Sequence, residues 1–237
     1  MLKKSLTIAK TNLANIKSSY IVTAIVIGML LIQDIVYIIL GATGVYTVEA
    51  GNMTVSIGNC FFLIIILAAI NIASSHFQKI MHLGAKRITY FYGCIMTYAV
   101  ISAVVSVIAI ILYFTYDNYM TSAFIRAETM DVVYWFGWAE QGVVVIFFRL
   151  FTFLLLLAVV IHTLVAVQGR WYGWIADFLI VAIISVFTPI AILRRALVWF
   201  FNLIIFHSNS FVQIAVCLVL AAAIYLLNKP ILARKII

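Results

Sequence analysis

The chain has 237 residues, of which 67% are hydrophobic and 9% are charged, with a formal net charge of +8. A mean hydropathy of +1.22 excludes an ordinary soluble domain, because repeated apolar stretches approach the roughly 20 residues that cross a bilayer core of about 30 Å. Lys and Arg lie at the ends of these stretches, whereas nucleic-acid binders concentrate them on a water-facing surface. The composition predicts an all-α, multi-pass protein of the lipid bilayer, with one transmembrane domain covering residues 1–237 and no nucleic-acid partner.

Residues 1–19 predict an amphipathic helix that lies along the membrane surface. Its apolar residues recur at steps of three and four, namely Leu2, Leu6, Ala9, Leu13 and Ile16. Lys3, Lys10 and Lys17 recur every seven residues and share another face. The spacing fits two roles: a basic anchor that fixes the topology, and a lever that contacts a cytoplasmic partner.

Six apolar stretches have the length of membrane-spanning helices: 20–40, 55–74, 93–116, 143–167, 172–193 and 211–227. A further apolar segment, 196–206, is about half the length needed to cross, so residues 194–210 are predicted to form a re-entrant segment on the outer side. Six spans place both termini on one side of the membrane. Most Lys and Arg residues lie on that side, which the positive-inside rule predicts to be the cytoplasm.

Three ionisable residues fall within predicted spans, where burial of charge is costly and marks function by default: Asp34, Arg149 and Asp177. Asp34 and Arg149 lie at comparable depth towards the outer side. Three roles are open for them: a structural ion pair, separate contacts with the headgroups, and a part in substrate passage. Asp177 lies near Arg170 at the inner end of its span, where we expect an interfacial ion pair.

Motifs of catalysis are absent from the sequence. Without a Gly-Lys dipeptide the chain cannot build the phosphate-binding loop of an ATPase. Neither a Gly-x-Ser-x-Gly elbow nor a His-Glu-x-x-His helix occurs, and the histidines are scattered. Cys60, Cys94 and Cys217 have no paired spacing, so neither a disulfide nor a metal site is predicted. We therefore expect no enzyme activity, catalytic residue or cofactor in this chain.

A polar island at 75–92 separates the second and third predicted spans. Its apolar residues recur at helical steps of three and four, at Phe77, Ile80, Met81 and Gly84. They are flanked by the basic residues Lys79, Lys86 and Arg87. An apolar face with a basic rim is typical of a short helix that inserts into a groove on another protein. The alternative is a cytoplasmic turn whose apolar face lies on the lipid.

The order of these elements resembles small bacterial ABC exporter permeases, the transmembrane subunits of type-two ABC transporters. The likeness rests on the N-terminal basic helix, the pattern of spans and the island sequence MHLGAKRITYFYG, in which Met81, Gly84, Arg87 and Phe91 match an apolar-x-x-Gly-x-x-Arg stretch followed by aromatics. The resemblance implies a coupling segment, 76–92, seated on a dimer of separate cytoplasmic ATP-binding subunits that hold ATP and Mg. The implied docking residues are Phe77, Lys79, Ile80, Met81, Leu83, Gly84, Lys86 and Arg87.

The same resemblance implies a second permease copy or homologue, and export of an amphipathic or hydrophobic peptide, lipid or drug across the bacterial cytoplasmic membrane. Three other functions stay open. An immunity or anchor subunit would bind a partner without transport. An ATP-independent channel or secondary transporter is expected to have helices broken at the midplane. A membrane enzyme would need catalytic residues clustered at one depth.

Overall fold

The computed structural model describes residues 2–44, 53–122, 128–168 and 171–234. The helices of the first half are α1 (Leu2–Asn15), α2 (Lys17–Ala42), α3 (Ile57–Cys60), α4 (Phe62–Asn71), α5 (Phe77–His82), α6 (Arg87–Leu112) and α7 (Asn118–Ser122). Those of the second half are α8 (Val132–Trp135), α9 (Val143–Val167), α10 (Trp171–Phe187), α11 (Ala191–Phe201) and α12 (Ser210–Arg234). Tighter or wider turns extend several of them: π-helical turns at Ile72–His76, Tyr113–Asp117 and Asn202–Phe206, and a 3-10 turn at Ala139–Gln141. Two short strands, β1 (Met53–Val55) and β2 (Glu128–Met130), pair in parallel.

Five helical runs are long and apolar enough to cross a membrane: Lys17–Ala42, Ile57–His82, Arg87–Met120, Val143–Val167 and Ser210–Leu232. A bent pair, Gly173–Phe187 with Ala191–Phe206, makes a sixth if it counts as one span. The protein thus has the helical architecture of a multi-pass membrane protein, as the composition predicts.

The fifth predicted span, 172–193, ends earlier than expected. α10 stops at Phe187, and the chain bends by 117° before α11 begins at Ala191. Pro189 lies in this bend, and proline removes a backbone donor and disfavours a helical conformation in the residue before it. Hydropathy places the end of this span too late, because the apolar composition continues across the proline.

α6, α9 and α12 form the centre of the bundle, with α4 beside them. The buried face of α6 carries small and polar residues at helical spacing, namely Gly93, Cys94, Thr97, Ser102, Ser106 and Ala109. Such residues favour helix association in lipid, because small side chains allow close backbone approach. α2 and α10 lie at the periphery and leave most of their apolar side chains exposed.

α1 packs against α6 through Ser5, Ile8, Ala9 and Asn12. This face is rotated from the predicted apolar stripe, because Leu2 and Leu6 are 76% and 58% exposed. Asn12 donates a hydrogen bond to the Thr97 hydroxyl at 3.4 Å, so a polar contact sets part of the packing. The lysines of α1 are exposed.

The contact between α1 and α6 depends on a glycine. A Cβ added at Gly93 would lie 2.6 Å from Cγ2 of Ile8 and 3.2 Å from the Ser5 carbonyl oxygen. Because the second atom belongs to the backbone, side-chain adjustment alone does not make room. α1 would have to move away from α6.

We therefore expect Gly93→Ala to lower the free energy of unfolding by about 1–3 kcal/mol, the usual cost of overpacking. Gly28→Ala is the matched control, since its surroundings in α2 are open and alanine favours a helix by up to about 1 kcal/mol. Thermal unfolding in mild detergent measures both. Equal melting temperatures for the Gly93→Ala and Gly28→Ala proteins would contradict the close approach.

Candidate functional site

The first part of the predicted coupling segment, 76–92, continues the second span, and its last part is the start of α6. The helical run Ile57–His82 passes through the π-helical turn into α5 and ends in a turn at residues 83–86, here called the basic turn. Gly84 has a φ of +77°, and its N–H bonds the Met81 carbonyl while the Ala85 N–H bonds the Ile80 carbonyl. This hydrogen-bond pair is the Schellman motif, which favours glycine at the left-handed position. Gly84 therefore stops the helix.

Three of the eight predicted docking residues face inward, which corrects the expected apolar surface. Phe77, Ile80 and Met81 are 0%, 5% and 7% exposed. The Phe77 ring packs edge-on against Tyr90, with ring centroids 5.4 Å apart. These side chains seat the end of the second span on α6, so neither a partner groove nor lipid covers them. Periodicity alone reveals that a face is apolar, but not which surface covers it.

Arg87 also differs from the expected basic rim. It is partly buried, and its guanidinium donates to the Leu232 carbonyl at 3.0 Å. Leu232 lies in the last turn of α12, where carbonyls lack helical partners and a cation stabilises the helix dipole. Arg87 thus ties the start of α6 to the end of α12.

The remaining docking candidates lie on the surface: Lys79, Leu83, Gly84 and Lys86. Leu83 is 83% exposed and stands between the two lysines in sequence. We call the end of the bundle with this turn the basic end.

The opposite end carries a buried cation with unexpected partners. Arg149 is 1% exposed; it donates to the His207 carbonyl and lies 5.6 Å from the centre of the Trp138 ring. Within the described part of the chain no carboxylate partners Arg149, and Asp34 accepts instead from the Tyr116 hydroxyl at 2.6 Å. The structure therefore does not bring Asp34 and Arg149 together.

Arg149 is one of several side chains that donate hydrogen bonds to backbone carbonyls at the end of the π-helical turn Asn202–Phe206. The Trp138 Nε1–H bonds the Ile205 carbonyl at 3.0 Å. The Gln213 amide bonds the Ile204 carbonyl at the same distance. A helix end leaves carbonyls without intrahelical partners, and burial makes each of them costly. These donors therefore fix the bent pair on α9 and α12.

Asp177 is partly buried and accepts a hydrogen bond from the Gln168 amide at 2.8 Å. The ion pair expected with Arg170 lies outside the described residues.

A polar cluster inside the bundle was not foreseen. The Tyr98 hydroxyl lies 2.6 Å from Nδ1 of His162, and both side chains are buried. Nearby, the Asn228 amide bonds the Thr163 hydroxyl at 2.7 Å. The recurrence of polar residues along one face of α6 was a usable signal, because such faces in lipid usually turn towards other helices.

A cavity of about 320 Å³ opens at the end opposite the basic turn. Its lining residues are Tyr113, Phe114, Asp117, Asn118, Thr129, Asp131 and Tyr134. Asp117 accepts from the Ser56 hydroxyl at 2.6 Å, and Asp131 caps α8 by accepting from the Val133 N–H at 2.7 Å. Burial raises the pKa of Asp131 above its usual value. The two acids thus have structural partners, and we call this the acidic end.

Within the described residues, no three His, Cys, Asp or Glu side chains are placed to hold a metal ion. The three cysteines are free thiols in buried positions.

No family model matches this chain, and neither a curated protein nor a solved structure matches it. The likeness to exporter permeases rests on the sequence features given above.

The hydrogen bond from Trp138 generates a prediction. Trp138→Phe keeps an aromatic ring but leaves the buried Ile205 carbonyl without its donor, so we expect a loss of about 1–3 kcal/mol in unfolding free energy. Trp135→Phe, at the end of the preceding helix α8, is the control, since Trp135 is 52% exposed and surface changes usually stay within about 0.5 kcal/mol. Melting temperatures in detergent compare the two. Equal shifts would argue against a structural role for the indole N–H.

The burial of Asp131 predicts a pH dependence. Because folding raises its pKa, Asp131 contributes most to the free energy of unfolding at a pH below its ordinary pKa of 3.8. This contribution decreases as the pH rises through the raised pKa of the folded protein. Asn keeps the capping oxygen without titrating, so the stability of Asp131→Asn relative to wild type should increase between pH 4 and pH 7. Melting temperatures across this range measure it. A flat difference for Asp131→Asn would refute the assignment.

Proposed function

We propose that this chain is the permease subunit of an ABC exporter, driven by a separate ATP-binding subunit. The observation that carries the proposal is the exposed Leu83 in the basic turn, with Lys79 in the last turn of α5 before it and Lys86 after it in sequence. These residues lie at the junction of two spans whose contacts seat the turn firmly on the bundle. A surface that receives force must be joined rigidly to the elements it moves. The burial of Phe77 against α6 meets this requirement.

In the proposed mechanism, ATP-driven closure of the partner displaces the basic turn. The Phe77–Tyr90 contact carries the movement from the second span to α6, and the Arg87–Leu232 hydrogen bond carries it to α12. Packed helices move as rigid bodies between discrete arrangements. The three helices would therefore shift together and switch access to the transport path.

A second permease copy or homologue completes the proposed path. α2 and α10 leave broad apolar faces uncovered, with Met29, Ile32, Phe178 and Val181 more than half exposed. Lipid or another copy of a similar chain would suit these faces. A path with walls of this composition favours an amphipathic or hydrophobic peptide, lipid or drug over sugars and ions.

We place the basic end at the cytoplasmic face of the bacterial plasma membrane. In the described residues Lys79, Lys86, Arg87 and Lys229 lie at this end, while Asp34, Asp117 and Asp131 lie towards the other. Loops rich in Lys and Arg stay on the cytoplasmic side. The re-entrant role of the bent pair, on the outer side, belongs to the same proposal.

The test is affinity purification of the tagged chain from its native membrane in mild detergent, followed by mass spectrometry. We expect a soluble ATP-binding protein to co-purify, and the double variant Lys79→Glu, Lys86→Glu to recover at least about tenfold less of it, because like charges brought together cost several kcal/mol. The double variant Arg194→Glu, Arg195→Glu is the matched control, since both arginines are exposed on α11 away from the basic turn.

Gly84 is a poor probe of docking, because any side chain there strains the left-handed turn by about 1–2 kcal/mol. A chain that purifies alone, or one whose partner recovery is unchanged by the lysine reversals, would contradict the docking assignment. A partner retained without cargo-dependent ATP turnover would instead favour an immunity or anchor subunit.

A further inference from the structure

A cleft lies between α6 and α12 at the basic end. It has a volume of about 230 Å³ and is lined by Arg87, Ile88, Phe91, Lys229 and Leu232. We call it the basic cleft. Two of its five lining residues are cations, one on each helix, and the other three are apolar.

The two cations differ in freedom. The Leu232 carbonyl holds the Arg87 guanidinium at 3.0 Å, and a guanidinium has five N–H donors in a fixed planar arrangement. Lys229 is exposed, and its ammonium moves on a flexible stem. A planar guanidinium held in place beside a mobile ammonium group is well suited to binding a phosphate group.

The apolar wall is pre-formed. Phe91 stacks on Tyr225 with ring centroids 4.4 Å apart, and the Tyr225 hydroxyl also donates to the Phe91 carbonyl. Ring and backbone of Phe91 are therefore both held by α12. Leu232 is buried on the facing side.

The cleft lies where spans end. Arg87 is the first residue of the run Arg87–Met120, and Leu232 is the last of the run Ser210–Leu232. Span ends meet the bilayer at the level of the lipid headgroups. Cations at this level lie beside the headgroup of a lipid molecule. Apolar residues in the adjoining helical turns lie beside its acyl chains.

From this arrangement we infer that the basic cleft binds an anionic phospholipid. Arg87 and Lys229 contact its phosphate, and the first part of an acyl chain lies against Ile88 and Phe91. Basic pockets between membrane helices at the headgroup level suit this chemistry. An acidic segment of a soluble protein would need only the charges, whereas the apolar wall between two spans is explained by lipid. This inference does not depend on the proposed export function.

The experiment is native mass spectrometry of the purified chain in non-ionic detergent, titrated with phosphatidylglycerol or phosphatidylcholine. Wild type should prefer phosphatidylglycerol, and Lys229→Gln should bind it about fivefold more weakly, the effect of one Lys near an anionic lipid surface. Ile88→Trp, which fills the cleft without changing its charge, should weaken binding as well. Lys10→Gln is the control, because Lys10 is exposed on α1 and does not line the cleft.

Equal phosphatidylglycerol binding by wild type and Lys229→Gln would overturn the inference. So would an equal loss in Lys10→Gln, which would indicate general attraction by surface lysines. Inorganic phosphate is added as a competitor in a separate arm. If millimolar phosphate displaces the lipid from wild type, the site takes the free anion and the lipid assignment is wrong; if phosphatidylglycerol stays bound, the acyl chain contributes as proposed.

Discussion

The structure depends on a single constraint: a backbone carbonyl within the bilayer must find a hydrogen-bond donor inside the protein, since hydrocarbon supplies none. Regular helices meet it by themselves. Where the helical pattern changes, side chains from neighbouring helices supply the donors. Tyr90 bonds the Ile72 carbonyl at a π-helical turn, Trp138 and Gln213 serve another such turn, and Arg87 serves the end of α12.

These hydrogen bonds also join neighbouring elements of the bundle to one another. Each joins a carbonyl at an irregular point to a side chain of another element, so neither element can shift far without leaving a buried polar group unpaired. At the basic end the bond from Arg87 joins α6 to α12 while aromatic packing joins α6 to α5. At the acidic end Arg149 joins α9 to the segment after α11. The peripheral α2 and α10 leave most of their apolar side chains exposed.

Much of the framework could be predicted from composition and length. The membrane spans follow from long apolar runs. Helical spacing places Gly84 in the same apolar face as Met81, whereas its φ of +77°, which only glycine adopts readily, ends the helix there. The fifth span was misjudged because hydropathy does not register the bend at Pro189. The candidate site was predicted less well: Phe77 and Met81 form an apolar face as expected, but that face is covered by the protein's own core.

The sequence by itself determined which segments enter the membrane and where the positive charges accumulate, because these depend on local composition. Only the tertiary structure decided which face of each helix is buried and which partner each intramembrane polar group takes. Arg149 binds a carbonyl and an aromatic ring, while Asp34 binds a tyrosine. The reason is physical: periodicity fixes which residues share a face, but packing between helices decides what lies opposite that face.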